Sequence, residues 1–152
     1  MIRIAVIGYG SKIRNDDAAG LRVVDILKKR LKSYQNVEFF YGFNNIDLLG
    51  RFDEFDRFYI IDCAFINKEP GKFLRGNIEE INFTDDSMNS HTTNFTSLVK
   101  DAKDMGIAMP EIFFYLIQPK NTEIGERMDK EVQRGLKGIV KAIETEIKEE
   151  KG

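Results

Sequence analysis

Apolar positions in this chain fall into short continuous runs that alternate with longer, spaced stripes. Ile2–Ile7 is a β-branched run ended by Gly8, as expected of a buried strand. Asp17–Leu31 predicts a helix, with Leu21, Val24, Leu27 and Leu31 on one face and Asp16 or Asp17 available as its cap. Val37–Tyr41 predicts a second strand, and Ile46–Phe52 a short helix carrying Ile46, Leu49 and Phe52 at helical spacing. Phe58–Ile61 is a third buried strand, closed by Asp62. From Phe73 to Phe83, the turn formers Gly71, Gly76 and Asn77 suggest two short strands or an edge ribbon. Phe95, Leu98, Val99 and Ala102 mark a helix that stops near Gly106, and Ile112–Ile117 is a strand ended by Gln118-Pro119. The best-marked element is last: Val132, Leu136, Ile139, Val140, Ile143 and Ile147 form one helical stripe.

Strands buried on both faces and alternating with helices imply a mostly parallel sheet covered on both sides. The expected fold class is α/β, a three-layer α/β/α sandwich with a mostly parallel twisted central sheet, phosphorylase/hydrolase-like, and residues 1–152 are read as one domain. Ligands in such sheets bind outside the C-terminal ends of the strands. The segments after Ile7, Tyr41, Ile61 and Ile117, and the loop before the helix at Phe95, are therefore where chemistry is sought.

Composition narrows the choices. With 42% hydrophobic and 32% charged residues the chain is not of disordered type. The 23 Lys and Arg against 25 Asp and Glu give a net charge of −2, which argues against a sequence-independent nucleic-acid binder. One cysteine, Cys63, excludes an internal disulfide framework, and one histidine, His91, excludes motifs built on two. No apolar run approaches the length of a signal core or a membrane span, so a cytoplasmic protein with no membrane partner is expected.

Candidate groups sit at the strand ends. Gly8-Tyr9-Gly10 is not a dinucleotide fingerprint, because Ile13 stands where the third glycine belongs, and no P-loop Gly-Lys follows. It reads as a tight turn near the cleft. Of Asp16 and Asp17 only one is needed as a cap, which leaves the other free for the cleft. Asp62 is either a loop aspartate bonded to backbone or a ligand or acid/base group at the cleft floor. Cys63 with His91 would make a cysteine hydrolase, although in an extended strand Asp62 and Cys63 point to opposite faces. His91, in a polar loop ahead of a helix, is the one neutral-pH base of the chain. Two carboxylates and an imidazole suit a borderline divalent metal with open positions.

Taken together, these segments resemble the hydrogenase maturation endopeptidases, which trim the C-terminal extension from the large subunit of nickel–iron hydrogenases. The family's opening pattern, Gly-x-Gly-Asn-x-Leu-x-x-Asp-Asp/Glu-Gly-x-Gly, is similar to Gly8, Gly10, Ile13, Asp16, Asp17 and Gly20 in register. Its strand ending in Asp-Ala resembles Ile60-Ile61-Asp62-Cys63, followed by Pro70-Gly71. Its Ser-His pair is similar to Ser90-His91, and its Ile-Gln-Pro segment to Ile117-Gln118-Pro119, with Gly125 downstream. The resemblance spans about the whole chain. It implies an aspartate-dependent protease in which Asp17, Asp62 and His91 are the catalytic and metal-contacting residues, with Gly8, Gly10, Asp16, Gly42 and Gln118 shaping the cleft. It implies nickel carried by the substrate rather than a resident metal, although Ni, Cd or Zn could occupy the site. The implied partner is a nickel–iron hydrogenase large-subunit precursor, met in the cytoplasm by a monomer. Departures are Ser11 for Asn, Ala18 for Gly, Gly42-Phe43-Asn44-Asn45 for Gly-Thr-x-Gly, and Thr92 after the histidine. Asn44-Asn45 and Ala18 leave open a non-cleaving binding or chaperone module that recognises the same precursor.

Overall fold

A computed structural model of the chain describes residues 1–42, 45–78 and 90–150, with the side chains at 45–46 and 90–94 outside the described set. The elements run β1 (Ile4–Gly8), a 3-10 turn (Asn15–Ala18), α1 (Ala19–Arg30), β2 (Val37–Tyr41), α2 (Asn45–Leu49) and a second 3-10 turn (Phe52–Glu54). β3 (Arg57–Cys63), β4 (Phe73–Asn77), α3 (Ser90–Asp104), β5 (Glu111–Ile117) and α4 (Lys130–Glu149) complete them. The five strands form one sheet in the order β2-β1-β3-β5-β4. All neighbours pair in parallel except β4, which runs antiparallel at the edge beside β5.

The α/β sandwich expected from the alternation is the fold found. Strand alternation sends side chains to two cores. Ile4, Val6, Tyr59, Ile61 and Tyr115 pack under α1 and α4, against Val24, Leu27, Val132 and Ile139. Ala5, Ile7, Phe58, Ile60 and Phe114 pack on the other face against Leu48, Phe95 and Ala102 of α2 and α3. A cluster of rings, Phe52, Phe58, Phe95 and Phe114, locks the second layer to the sheet. On the first layer a bidentate pair, Arg30 Nε and Nη2 on Glu144 at 2.7 and 3.0 Å, ties α1 to α4. Among the described residues no helix is long and apolar enough to cross a membrane.

Three boundaries differ from the sequence expectation. The helix expected from Asp17 starts later, at Ala19, because Asn15 takes φ +48 and winds Asn15–Ala18 into a 3-10 turn. Neither that turn nor α1 has a side-chain cap, so the capping role expected of Asp16 or Asp17 is not used. β3 continues through Asp62 and Cys63, which pair with Leu116 and Ile117 of β5, so the backbone pairing runs past the charge at which the apolar run ends. The 73–83 region supplies one edge strand, and its part beyond Ile78 lies outside the described residues. Ser90-His91 belong to the first turn of α3 rather than to the loop before it.

The contact between α1 and the sheet is made by backbone. A Cβ on Gly8 would lie 2.3 Å from the Gly20 carbonyl oxygen, and one on Gly20 would lie 2.5 Å from the carbonyls of both Ile61 and Tyr9. Gly20→Ala is expected to destabilise the fold by about 1–3 kcal/mol, because backbone rather than a flexible side chain must move; urea denaturation measures it. Arg30 holds the Glu144 carboxyl below its ordinary range, chiefly by the hydrogen bond and more weakly by charge, against the opposing effect of burial. A carboxyl depressed in the folded state stabilises above its unfolded pKa and loses that contribution as pH falls through the folded one. Glu144→Gln is therefore expected to melt below the parent protein at neutral pH, with the gap closing in acid when thermal unfolding is followed against pH.

Candidate functional site

The chain leaves β1 for β2 on one side and reaches β3 on the other, so the C-terminal ends of β1 and β3 flank a switch point of the sheet. Gly8 lies opposite Ile61 in that parallel pair. The ladder continues one step, because the Tyr9 amide donates to the Ile61 carbonyl at 2.9 Å. Tyr9 and Asp62 are therefore the next lateral pair. Gly42, reached after its amide donates to the Gly8 carbonyl at 2.6 Å, and Leu116 extend the row to either side.

Asp62 follows Phe58 and Ile60 by strand alternation and so shares their face, the one covered by α2 and α3. It is fully buried, and its Oδ1 accepts the Cys63 amide at 2.8 Å. Cys63 points to the opposite face, into the cluster with Ala18, Ile117 and Met128, and its thiol donates to the Asp16 carbonyl at 2.9 Å. Burial, followed by the charges of Asp62, Asp17 and Asp16, pushes this thiol well above its ordinary pKa. A cysteine nucleophile needs the reverse, a thiolate favoured by positive surroundings.

Asp17 belongs to the 3-10 turn above the end of β1. The Ser11 amide donates to its carbonyl at 3.2 Å. Gly10 takes φ +142, and a Cβ there would meet that carbonyl at 2.0 Å and the Asp17 Oδ2 at 3.8 Å. Only glycine allows this turn to close on itself. The half-buried Asp17 carboxylate thus lies beside the Gly10 backbone at the exit of β1. Cys63 joins the two regions, because its amide donates to the Asp62 carboxylate and its thiol to the carbonyl of Asp16, the residue before Asp17.

The remaining candidates are structural in their contacts. Asp16 is fully buried; its Oδ2 accepts the amides of Lys120 and Asn121 at 2.8 Å each, and its Oδ1 that of Asp129 at 2.7 Å. It therefore holds the 120–129 segment against the β1–α1 connection. Gln118 performs a similar task at the end of β5. Its Oε1 accepts the Ile66 amide at 2.7 Å and its Nε2 donates to the Pro119 carbonyl at 3.1 Å, which clips the segment after β3 to the segment after β5. Gly8 serves the packing of α1, and Gly42, at φ +71, brings the chain past the Tyr9 ring. The His91 and Thr92 side chains, and all of Phe43 and Asn44, lie outside the described residues. Among the described residues no three of His, Cys, Asp and Glu are grouped to hold a metal ion.

Tyr9, Asn15 and Gly135 contribute without a signal in the sequence, and Gly71, legible there as a turn former, makes a contact the sequence does not show. The sequence presents Tyr9 as the middle of a glycine turn, although its place one step beyond a parallel strand makes it a lateral neighbour of the next strand's end. Asn15 accepts the Arg127 amide at 3.0 Å and donates to the Glu123 carbonyl at 3.0 Å, which seats Gly125 against it. Gly71, at φ +90, and Gly135 let the segment after β3 touch α4 backbone to backbone. No local pattern announces these contacts, because each partner lies far along the chain.

Comparison with known proteins adds to this geometry. A family model described as "Hydrogenase maturation protease" matches residues 21–146. A Methanocaldococcus jannaschii protein provisionally assigned as a hydrogenase maturation protease is 28% identical, over 78% of this chain and 73% of its own. The [NiFe] hydrogenase maturation protease HybD from Thermococcus kodakarensis has 25% identity and a TM-score of 0.76, covering 95% of this chain and 98% of that one. The hydrogenase maturating endopeptidase HybD from E. coli superposes with a TM-score of 0.82 over 98% of this chain and 94% of that one, and at 19% identity it shares the fold alone. Because the family match runs through most of the elements that build the sheet and both its covering layers, the chain belongs to the hydrogenase maturation protease family.

Proposed function

We propose that the protein is an endopeptidase that removes the C-terminal extension from a nickel–iron hydrogenase large-subunit precursor after nickel insertion, recognising the substrate's own nickel. Family membership supports the reaction class. The observation that supports the site is that Cys63, at the sheet's switch point, bonds the Asp62 carboxylate through its amide and the carbonyl of Asp16, next to Asp17, through its thiol. In this reading Asp17, Asp62 and His91 offer two carboxylates and an imidazole to the nickel that the precursor brings. Two neighbouring carboxylates repel each other, and a divalent cation removes that repulsion. The scissile carbonyl is then held beside the metal and polarised by it. A carboxylate acting as general base takes a proton from the attacking water; its oxygen bonds to the carbonyl carbon, and the proton passes to the leaving amine as the C–N bond breaks. The metal belongs to the substrate, not to the resting protein, although added Ni, Cd or Zn could enter the same ligands. We assign the reaction to the cytoplasm and to a monomer, with neither nucleic acid nor membrane as partner.

The test is to incubate the protein with nickel-loaded and with nickel-free precursor and to weigh the precursor by mass spectrometry. Only the loaded form should lose its extension. Asp17→Asn, Asp62→Asn and His91→Ala are each expected to slow cleavage roughly 100-fold or more, while Cys63→Ala retains most of the activity. Equal cutting of both precursors, or full activity in His91→Ala, overturns the nickel-reading role. An unchanged mass despite complex formation points instead to a precursor-binding module that does not cut.

A further inference from the structure

Seven large apolar side chains are exposed among the described residues, and four of them, Ile13, Tyr41, Phe65 and Ile124, lie at or beyond the C-terminal ends of β1, β2, β3 and β5. That is the edge at which a substrate of the candidate site arrives. Two of the four are built into one surface. The Gly125 amide donates to the Ile13 carbonyl at 2.7 Å and the Asn15 amide to the Gly125 carbonyl at 2.8 Å, so Arg14 and Gly125 pair as in a parallel ladder. One step back, Ile13 and Ile124 are lateral neighbours, 57% and 79% exposed. This platform is held in place from beneath. The Asn15 side chain bonds the Glu123 carbonyl and the Arg127 amide, and the Asp16 carboxylate accepts the amides of Lys120, Asn121 and Asp129. Ordering a loop costs conformational entropy. Here that ordering is complete while both isoleucines stay uncovered, which is the condition of a pre-organised binding surface.

The platform also lies close to Asp17. The Asp17 amide donates to the Arg14 carbonyl at 3.0 Å, which closes a four-residue turn. The ends of such a turn lie within about 7 Å of each other, and Ile13 is one residue, about 3.8 Å, further. An extended chain advances about 3.3 Å per residue, so a peptide bond held at Asp17 has Ile13 within about four residues. We propose that Ile13 and Ile124 form a docking platform for an extended apolar segment of the precursor, next to the bond that is cut. This inference deepens the proposed function and rests on it, since it takes the precursor as the molecule that meets this edge. A second copy of the chain is the rival occupant. Two side chains fall far short of the roughly 800 Å² that each partner of a stable dimer covers, whereas they suit one or two residues of a bound strand.

Ile13→Ser and Ile124→Ser remove the apolar surface, and Ile124→Leu keeps it. Each serine variant is expected to raise KM on nickel-loaded precursor roughly tenfold with kcat unchanged, because the contact is the same in the bound substrate and in the transition state. Affinity for nickel-free precursor should fall by the same factor, since the platform does not read the metal. Ile124→Leu should match wild type, and the thermal unfolding midpoints should not move. If wild type cuts and the serine variants keep its KM, the docking platform falls and the proposed function stands. A wild-type dimer that Ile124→Ser dissociates makes the surface a self-interface and overturns the proposal, as does a lowered unfolding midpoint, which makes the residue structural. If wild type binds loaded precursor without cutting it, the cleavage reading falls alone; the platform then stands if the serine variants weaken binding tenfold, and falls if they bind equally well. Wild type that binds neither form of the precursor overturns both.

Discussion

The site depends on how closely α1 can approach the ends of β1 and β3. Helices normally stand off a sheet by the depth of two side-chain layers, and here the layer is missing at one point. Gly8 and Gly20 face each other with no side chain between them, and the Gly20 backbone rests on the carbonyls of Tyr9 and Ile61. The chain therefore has only residues 9–19 in which to leave β1, reverse and begin α1 directly above the strand ends. Asp17 lies in that reversal and cannot be far from the exit of β3. A methyl group at either glycine would lift the helix and carry the 3-10 turn with it. The opening glycine pattern is thus a statement about distance between backbones, and the acid it delivers is a consequence.

Asp16 closes the same region from the other side. A buried carboxylate is costly unless its lone pairs are filled, and three backbone amides from the 120–129 segment fill them. Two adjacent aspartates therefore divide the work. One is consumed in joining the turn to a segment far along the chain, and the other is left half-buried beside Gly10. The Asp16 carbonyl also accepts the Cys63 thiol, so that the turn is bonded to the end of β3 as well. Gln118 adds a third tie by clipping the segment after β3 to the end of β5. Each of these contacts joins one strand exit to another, and together they give the C-terminal end of the sheet a fixed shape.

Much of this was legible in the sequence where burial leaves a periodic trace. The continuous runs in β1, β3 and β5, and the long stripe of α4, follow directly from being covered by two layers or packed along one face. What the trace could not give was contact between distant parts. Capping is a local expectation that offers Asp16 or Asp17 to the helix that follows, whereas the partners of Asp16 are Lys120, Asn121 and Asp129. An apolar run ends at its first charge, so Asp62 reads as the close of the third strand, whereas the pairing with Leu116 and Ile117 carries β3 on to Cys63. That extension is chemically large, because a strand position has a defined face and a defined lateral neighbour.

The electrostatics of this corner bear on why a metal-reading protease would be built from acids. Asp16, Asp17 and Asp62 stand around the exits of β1 and β3, and Cys63 bonds the carbonyl of the first and the carboxylate of the last, so this corner is rich in acids. Hydrolysis of a peptide bond develops negative charge on the carbonyl oxygen, and such a site opposes it. On the proposed reading the resting protein is therefore protected from cutting peptides at random by its own charge. A divalent cation arriving with the substrate reverses the local sign, relieves the repulsion between the two carboxylates and stabilises the developing oxyanion in one event. Selectivity for a loaded precursor then needs no separate sensing element, because the same carboxylates that hold the ion are the groups that hinder the reaction without it.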